Sequence, residues 1–413
     1  MSVCLRNQYH NINRLLEIFP AVLILGVRQC GKSTLSKLAR KDWKYYDLEN
    51  SKDYDYISSD IDFFFKENPT NIIFDEAQEF PSLFKNLRGI IDANRDQNNR
   101  FILTGSSSPE LIEMASNTLA GRIGIIELGT LKLNEISKNK LPDFYDIFSN
   151  EITSETLTKL KELIPPKEDI DSLDIFLKGG YPSPVLKQNQ IFYEEWMENY
   201  FQTYINRDVK KLFPKMDSIK YRRFVGMLSE LSGTIINKAQ LGRSIDVNEV
   251  TIRDYLEIAH KTFFWRMIPS YEKTKIKSVT KMPKGVLRDT GFLHYLSNIY
   301  TREQMLRSPR FGQNFESFVI EEIIKGIQAT SVKRWDYYYY RTKNGIEVDL
   351  ILDGKFGVLP IEIKSGSSTT IKDLKSLNYF IESQNLPIGI VINNDDQIKM
   401  LSEKIIQIPV SYL

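Results

Sequence analysis

The chain reads as an α/β protein of several modules, the first of them a parallel sheet covered on both faces by helices. Three observations predict this. Between Pro20 and about Asn134 short β-branched runs alternate with helical patterns, as in parallel sheets whose strands are joined by helical crossovers. The length of 413 residues exceeds a single core, taking roughly 150 residues per domain as a prior. Finally, 42% hydrophobic and 26% charged residues is a globular composition, which excludes disordered and fibrous classes.

The predicted strands are Val22 to Leu25, Tyr45 to Leu48, Ile72 to Phe74, Phe101 to Leu103 and Ile125 to Leu128. Ser137 to Leu231 follows as a mostly helical stretch, read as a lid and connector, and broken by a tight turn at Gly179-Gly180-Tyr181-Pro182. Three short helical segments are expected between Ser232 and Tyr271, the last from Asn248 to His260, and lysine-rich sequence follows to Lys284. That outline is a winged helix-turn-helix. A helix from Asn314 to Ile327 and strands Tyr337 to Arg341, Glu347 to Leu352 and Leu359 to Lys364 form a closing α/β domain.

Gly26-Val27-Arg28-Gln29-Cys30-Gly31-Lys32-Ser33 fits GxxxxGK[ST] between an apolar strand and a helix. In such a loop the backbone N–H groups of Gly26, Arg28, Gln29, Cys30, Gly31 and Thr34 surround phosphates. Lys32 reaches the β and γ oxygens, and the Ser33 hydroxyl meets Mg²⁺. ATP with Mg²⁺ is therefore the expected ligand pair. Ile72-Ile73-Phe74-Asp75-Glu76 supplies the second half of the site, Asp75 for the metal shell and Glu76 to polarise the attacking water. Phe101-Ile102-Leu103-Thr104-Gly105-Ser106, inserted between those strands, would bring Thr104 or Ser106 to the γ-phosphate; Thr104 is favoured, with helix capping as the competing role. Arg122 precedes the last strand and is either an arginine finger for a neighbouring subunit or a surface arginine. Cys30, inside the loop, is expected to report nucleotide binding through its alkylation.

Asp349 and Glu362 flank a turn centred on Lys355 and share its midpoint, so symmetric pairing makes them cross-strand neighbours. Lys364 faces the same side as Glu362. With Glu316 from the preceding helix, these residues form a candidate nuclease site for a divalent cation, unless they are simply the solvated face of an amphipathic strand. Candidate DNA contacts are Arg253 on the recognition helix and Lys273, Lys275, Lys277, Lys281 and Lys284 in the wing. The competing role of those lysines is to guard an edge strand. The run Trp335 to Tyr340 suggests base stacking or, more commonly, packing on both faces of a strand.

Other classes are excluded by composition. No apolar run reaches the ~18 residues of a membrane span. The first twenty residues read as an amphipathic helix without signal-peptide features, so a cytoplasmic location is expected. Two cysteines and three histidines cannot build a disulfide framework or a structural zinc site. A net charge of +2 confines nucleic-acid binding to a local patch.

Taken in order, GVRQCGKST, IIFDEAQ, ILTGSS, LAGR, GGYP, NRDV, RDTGFL, FESFVIEE and GIEVDL…PIEIKS resemble prokaryotic AAA+ ATPases that carry a carboxy-terminal restriction-endonuclease-like domain of unknown function. The resemblance covers essentially the whole chain. It implies an AAA+ P-loop ATPase domain at 1–136, the lid and connector at 137–231, the winged helix at 232–285 and a PD-(D/E)xK-like α/β domain at 286–413. It further implies a homo-oligomer, a hexameric ring in which Arg122 completes a neighbour's site. Glu316, Asp349, Glu362 and Lys364 match the nuclease pattern formally, with Val348 in place of its proline. The expected function is an ATP-driven motor or clamp on branched or single-stranded DNA. The alternatives are an ATP-dependent, Mg²⁺-dependent nuclease, and a signalling or chaperone-like ATPase that docks proteins.

Overall fold

The computed structural model describes residues 4–106, 109–167, 171–187, 189–272 and 281–413, the side chains of Pro109, Glu110 and Ile371 excepted. The chain forms two compact units, one comprising the residues up to Thr130 together with 261–263, the other comprising 131–260 and 264–413.

The first unit is built on five parallel strands: β1 (Ala21–Gly26), β2 (Lys44–Asp47), β3 (Ile72–Asp75), β4 (Phe101–Ser106) and β5 (Ile123–Leu128). Their order across the sheet is β2-β3-β4-β1-β5. β1 and β3 are buried at every residue, as parallel strands covered on both faces must be, whereas β5 at one edge alternates. Phe64, Phe65, Phe74 and Phe101 meet as edge-to-face and tilted pairs on one face of this sheet. The amphipathic helix at the amino terminus, Gln8–Ile18, buries Ile12, Leu15 and Leu16.

In the second unit, β9 (Trp335–Arg341), β10 (Glu347–Gly354) and β11 (Gly357–Lys364) form an antiparallel meander. It continues through β12 (Gly389–Asn393) and β14 (Ile405–Pro409), parallel to β11, with β13 (Lys399–Met400) at the edge. These last three strands, β12 to β14, lie beyond those expected from the sequence. The expected lid is a second departure. Leu133, Phe144, Tyr145, Leu160 and Phe176 share one core with the helix Phe311–Gln328 and with Leu352, Leu359 and Ile390 of the sheet. The apolar side chains of its first half, up to Leu177, thus complete the carboxy-terminal core.

In the stretch expected to form a winged helix, the helices lie displaced along the chain. Two helices, Lys238–Ser244 and Glu249–Lys261, lie between Ser232 and Tyr271, and the third is the preceding Ser218–Leu231. Gly233, at φ 78°, turns the chain out of that helix into β6 (Thr234–Ile235). β6 and β7 (Trp265–Ile268) pair with the central strand β8 (Lys284–Leu287). Residues 232–285 are not separate from the carboxy-terminal domain. Tyr271 N donates to Tyr339 O at 2.6 Å and Tyr339 N to Pro269 O at 3.0 Å, while Arg266 on β7 makes a buried ion pair with Glu321. Removing one partner of such a pair costs about 3–5 kcal/mol, because the other charge stays buried.

Two of the sequence strings meet at one turn. Gly179 sits at φ 71°, Gly180 N donates to Asp289 Oδ2 at 2.9 Å, and Asp289 Oδ1 accepts from Phe292 N at 3.0 Å to cap the helix Thr290–Leu296. A Cβ on Gly180 would overlap Leu131 O. Gly180→Ala is therefore expected to destabilise the second unit by roughly 1–3 kcal/mol, read as a lowered denaturation midpoint with an unchanged slope. On the same helix His294 is buried, and burial lowers its pKa to about 4 despite the nearby Leu177 carbonyl. The unfolded chain then binds the extra proton first. Stability is expected to fall as pH drops from 6.5 towards 4, by up to about 3 kcal/mol, and His294→Phe should flatten denaturation curves across that window.

Candidate active site

The phosphate loop runs from the carboxyl end of β1 into the helix Lys32–Ala39. Gln29 (φ 60°) and Gly31 (φ 99°) turn the backbone through left-handed conformations, which aims successive N–H groups inward. A Cβ on Gly26 would overlap Leu128 O, so only glycine lets the loop leave the sheet beside β5. Lys32 is 5% exposed, and its Nζ donates to Gly26 O and Val27 O at 3.1 Å each. Arg28 lies 3.9 Å from Glu49, and Thr34 is exposed. Cys30 corrects one expectation. Its side chain is fully buried and its thiol donates to Leu128 O at 3.3 Å, so it is not an accessible alkylation reporter.

Because β4 lies between β3 and β1, its last residues stand beside the acids that end β3. Thr104 Oγ1 donates to Asp75 Oδ1, while Tyr45 on β2 donates its hydroxyl to Asp75 Oδ2. Glu76 is held in the left-handed region at φ 53°, a conformation a bulky residue keeps only where its surroundings impose it. Its Oε2 accepts from Gln78 Nε2 at 2.6 Å, Ser106 Oγ at 2.8 Å and Ser106 N at 3.3 Å. Burial opposes the charged form of Glu76. The Lys32 charge and the hydrogen bonds from Gln78 and Ser106 outweigh it and hold this carboxyl below its ordinary pKa. Thr104 thus serves Asp75 and Ser106 serves Glu76, so both residues weighed from the sequence touch an acid.

Tyr45 and Gln78 were missed. Tyr45 also lies within hydrogen-bonding reach of Ser33, linking the two residues expected to hold Mg²⁺. No local motif marks it, because its position depends on β2 lying beside β3, which pairs Tyr45 with Ile73 and Asp47 with Asp75. Arg122 sits just before β5, at the end of the sheet opposite the phosphate loop, roughly 17 Å away along the strands. Its guanidinium pairs with Asp92 at 2.7 and 3.0 Å.

The carboxy-terminal set converges, with one addition. The register Leu350↔Ile361, continued by one pair, sets Asp349 opposite Glu362, and Asp349 Oδ2 accepts from Ile363 N at 2.8 Å. Lys364 Nζ lies 2.7 Å from Glu362 Oε1. The addition is Lys284. Expected as a DNA contact, it is instead buried, bonded to Glu316 and lying 3.3 Å from Glu347 and 3.8 Å from Asp349. Burial pushes Glu362 up to about 9 and Glu316 up to about 8, Asp349 adding to both, and Asp349 itself is raised. Among the described residues no group of three or more His, Cys, Asp or Glu side chains could hold a metal ion.

Of the remaining basic candidates, Arg253 is exposed and Lys281 pairs with Glu272. Lys273, Lys275 and Lys277 lie outside the described residues. The tyrosine run packs on both faces of β9. Tyr339 is buried and donates to Met282 O at 2.7 Å, while Tyr338 and Tyr340 meet Tyr271 and Phe380.

Residues 19–137 match the family model described as "AAA domain". With the five parallel strands in this order, that match decides the class. The first unit is an AAA-type ATPase domain of the P-loop class. Residues 171–303 and 311–413 match two domains of unknown function, DUF8612 and DUF4143. Two curated relatives, "Uncharacterized protein Mb2031c" of Mycobacterium bovis and "Uncharacterized protein Rv2008c" of Mycobacterium tuberculosis, are each 27% identical over 407 residues. The match spans 98% of this chain and 83% of theirs. Among solved structures, the Walker-type ATPase of Pyrococcus abyssi aligns over 70% of this chain and 94% of its own at 15% identity. Its TM-score of 0.40 is too low to define a shared fold. No helix among the described residues is long and apolar enough to cross a membrane.

Ser106→Ala removes the 2.8 Å hydroxyl bond to the Glu76 carboxylate. Hydrogen bonds to charged groups are worth about 1.5–3 kcal/mol, so ATP turnover is expected to fall roughly tenfold or more. Glu76 is ionised from below its ordinary 4.5 upward, and the acid limb of the pH–rate profile should move up in this variant.

Proposed function

We propose that the first unit hydrolyses Mg²⁺–ATP and that the cycle drives action of the second unit on DNA, through its winged helix. The observation that carries the ATP half is the convergence of Lys32, Asp75, Glu76, Thr104 and Ser106 at the carboxyl ends of β1, β3 and β4. Ser33 and Asp75 would hold the magnesium ion, which when bound neutralises the β and γ oxygens. Glu76, ionised and anchored by Ser106 and Gln78, accepts the proton of the attacking water. Lys32 leaves the carbonyls of its own loop for the phosphates, and Thr104 orients Asp75. In a ring of subunits, a hexamer by resemblance, Arg122 would serve a neighbour's γ-phosphate after exchanging Asp92 for it. A pair at the surface is weak enough for that exchange.

The DNA half is supported by the helix order and three-stranded sheet of a winged helix, with Arg253 exposed on its recognition helix. A second reading has its own observation. The same helix exposes Glu249, Asp254, Glu257 and the apolar Val250, a surface suited to a protein as much as to phosphates.

Glu76→Gln is expected to bind ATP with little change in affinity and to lose turnover by about 10²–10⁴-fold, measured by nucleotide binding and phosphate release side by side. Turnover of the wild type, measured with duplex, single-stranded and branched DNA at low salt, should rise with at least one of them, and the rise should fade as salt increases. A flat response, together with no DNA binding at low salt, would reject the DNA half in favour of protein docking.

A further inference from the structure

The carboxylates of the second unit that match the nuclease pattern formally do not form a metal-binding group, and three acids there already surround a cation. Lys284 reaches them from β8, outside the meander that carries Glu347, Asp349 and Glu362. Its Nζ bonds Glu316 on the helix Phe311–Gln328 and lies within 4 Å of Glu347 and Asp349. The side chain is 2% exposed. It is also held from behind. β8 is the middle strand of its sheet, Lys284 pairs with both Ile235 and Ile268, and the Trp265 indole lies where a Cβ on Gly285 would be. The backbone from which the ammonium extends is therefore fixed by a strand on either side. A divalent ion bound to these oxygens at about 2–2.5 Å would stand next to a fixed positive charge, and the two would repel at short range in a low-dielectric interior.

We propose that Lys284 is the resident cation of this cluster, filling the place of a catalytic divalent metal, so that the carboxy-terminal domain holds the winged helix in a fixed orientation and does not hydrolyse phosphodiesters. One ammonium joins a strand of the winged helix to a helix and a strand of the carboxy-terminal domain, and buried charges of this kind fix an arrangement more than they stabilise it. A further buried ion pair, Arg266 with Glu321, runs between the same parts.

The test is Mn²⁺ uptake by the full chain without nucleotide, followed by electron paramagnetic resonance of the free ion, for wild type, Glu362→Gln and Lys284→Ala. Sharing one nucleotide site, the three proteins differ only at the cluster. Wild type and Glu362→Gln should take up the same amount. Lys284→Ala should gain one equivalent over both, and Mn²⁺ should raise its melting temperature. The proposal is overturned if wild type shows Mn²⁺ uptake or Mg²⁺-dependent DNA cleavage that Glu362→Gln abolishes. A folded Lys284→Ala that gains no Mn²⁺ overturns it as well. Should Lys284→Ala not fold, the comparison of wild type with Glu362→Gln decides alone.

Discussion

An apolar helix that carries carboxylates into a core can remain there only if every charge finds a partner, and the helix Phe311–Gln328 carries three. Glu316 is met by Lys284, Glu321 by Arg266 and Arg288, and Glu322 by Lys132 at 3.3 Å and Lys325 at 2.7 Å. An unpaired carboxylate in such surroundings would cost several kcal/mol, so the helix is stably buried only when those cations are in place. Except for Lys325, they come from distant parts of the chain. This requirement ties strands β7 and β8, the segment following Thr130 and the carboxy-terminal sheet into one unit, and it explains why boundaries drawn from helical and strand patterns do not separate them.

The nucleotide domain follows a different logic. Its organising feature is the insertion of β4 between β1 and β3, which brings hydroxyls to the two acids at the end of β3. Glu76 is strained in φ and held by three hydrogen bonds, a fixed geometry that the role proposed for it would use. Asp75 is braced on one side by Thr104 and on the other by Tyr45.

The two carboxylate sites also contrast in charge. Around Glu76, Lys32 and hydrogen-bond donors favour the ionised form, suited to accepting a proton. Around Glu362, burial and neighbouring acids favour the protonated form, and the nearest cation is Lys364. The first arrangement suits the proposed reaction with a bound nucleotide, the second the proposed role of holding protein elements together.

Most of the nucleotide site was legible along the chain, because a phosphate loop is local: a strand, a glycine-bearing turn and a helix within nineteen residues carry their own spacing rules. The acids of β3 and the hydroxyls of β4 were legible for the same reason, each at the end of an apolar run. The pairing of Asp349 with Glu362 followed from the symmetry of one turn. Tyr45 and Lys284 carried no such mark. Both are ordinary residues on short strands, and their roles arise only when β2 comes to lie beside β3 and when β8 comes to face a helix and strand far along the chain. The helices taken for a lid were legible as helices but not as part of the carboxy-terminal core, since an apolar face shows that a helix is buried without showing against what. Local spacing determines which backbone can form and which chemistry it can present; long-range burial of charge decides which of those groups are left to react.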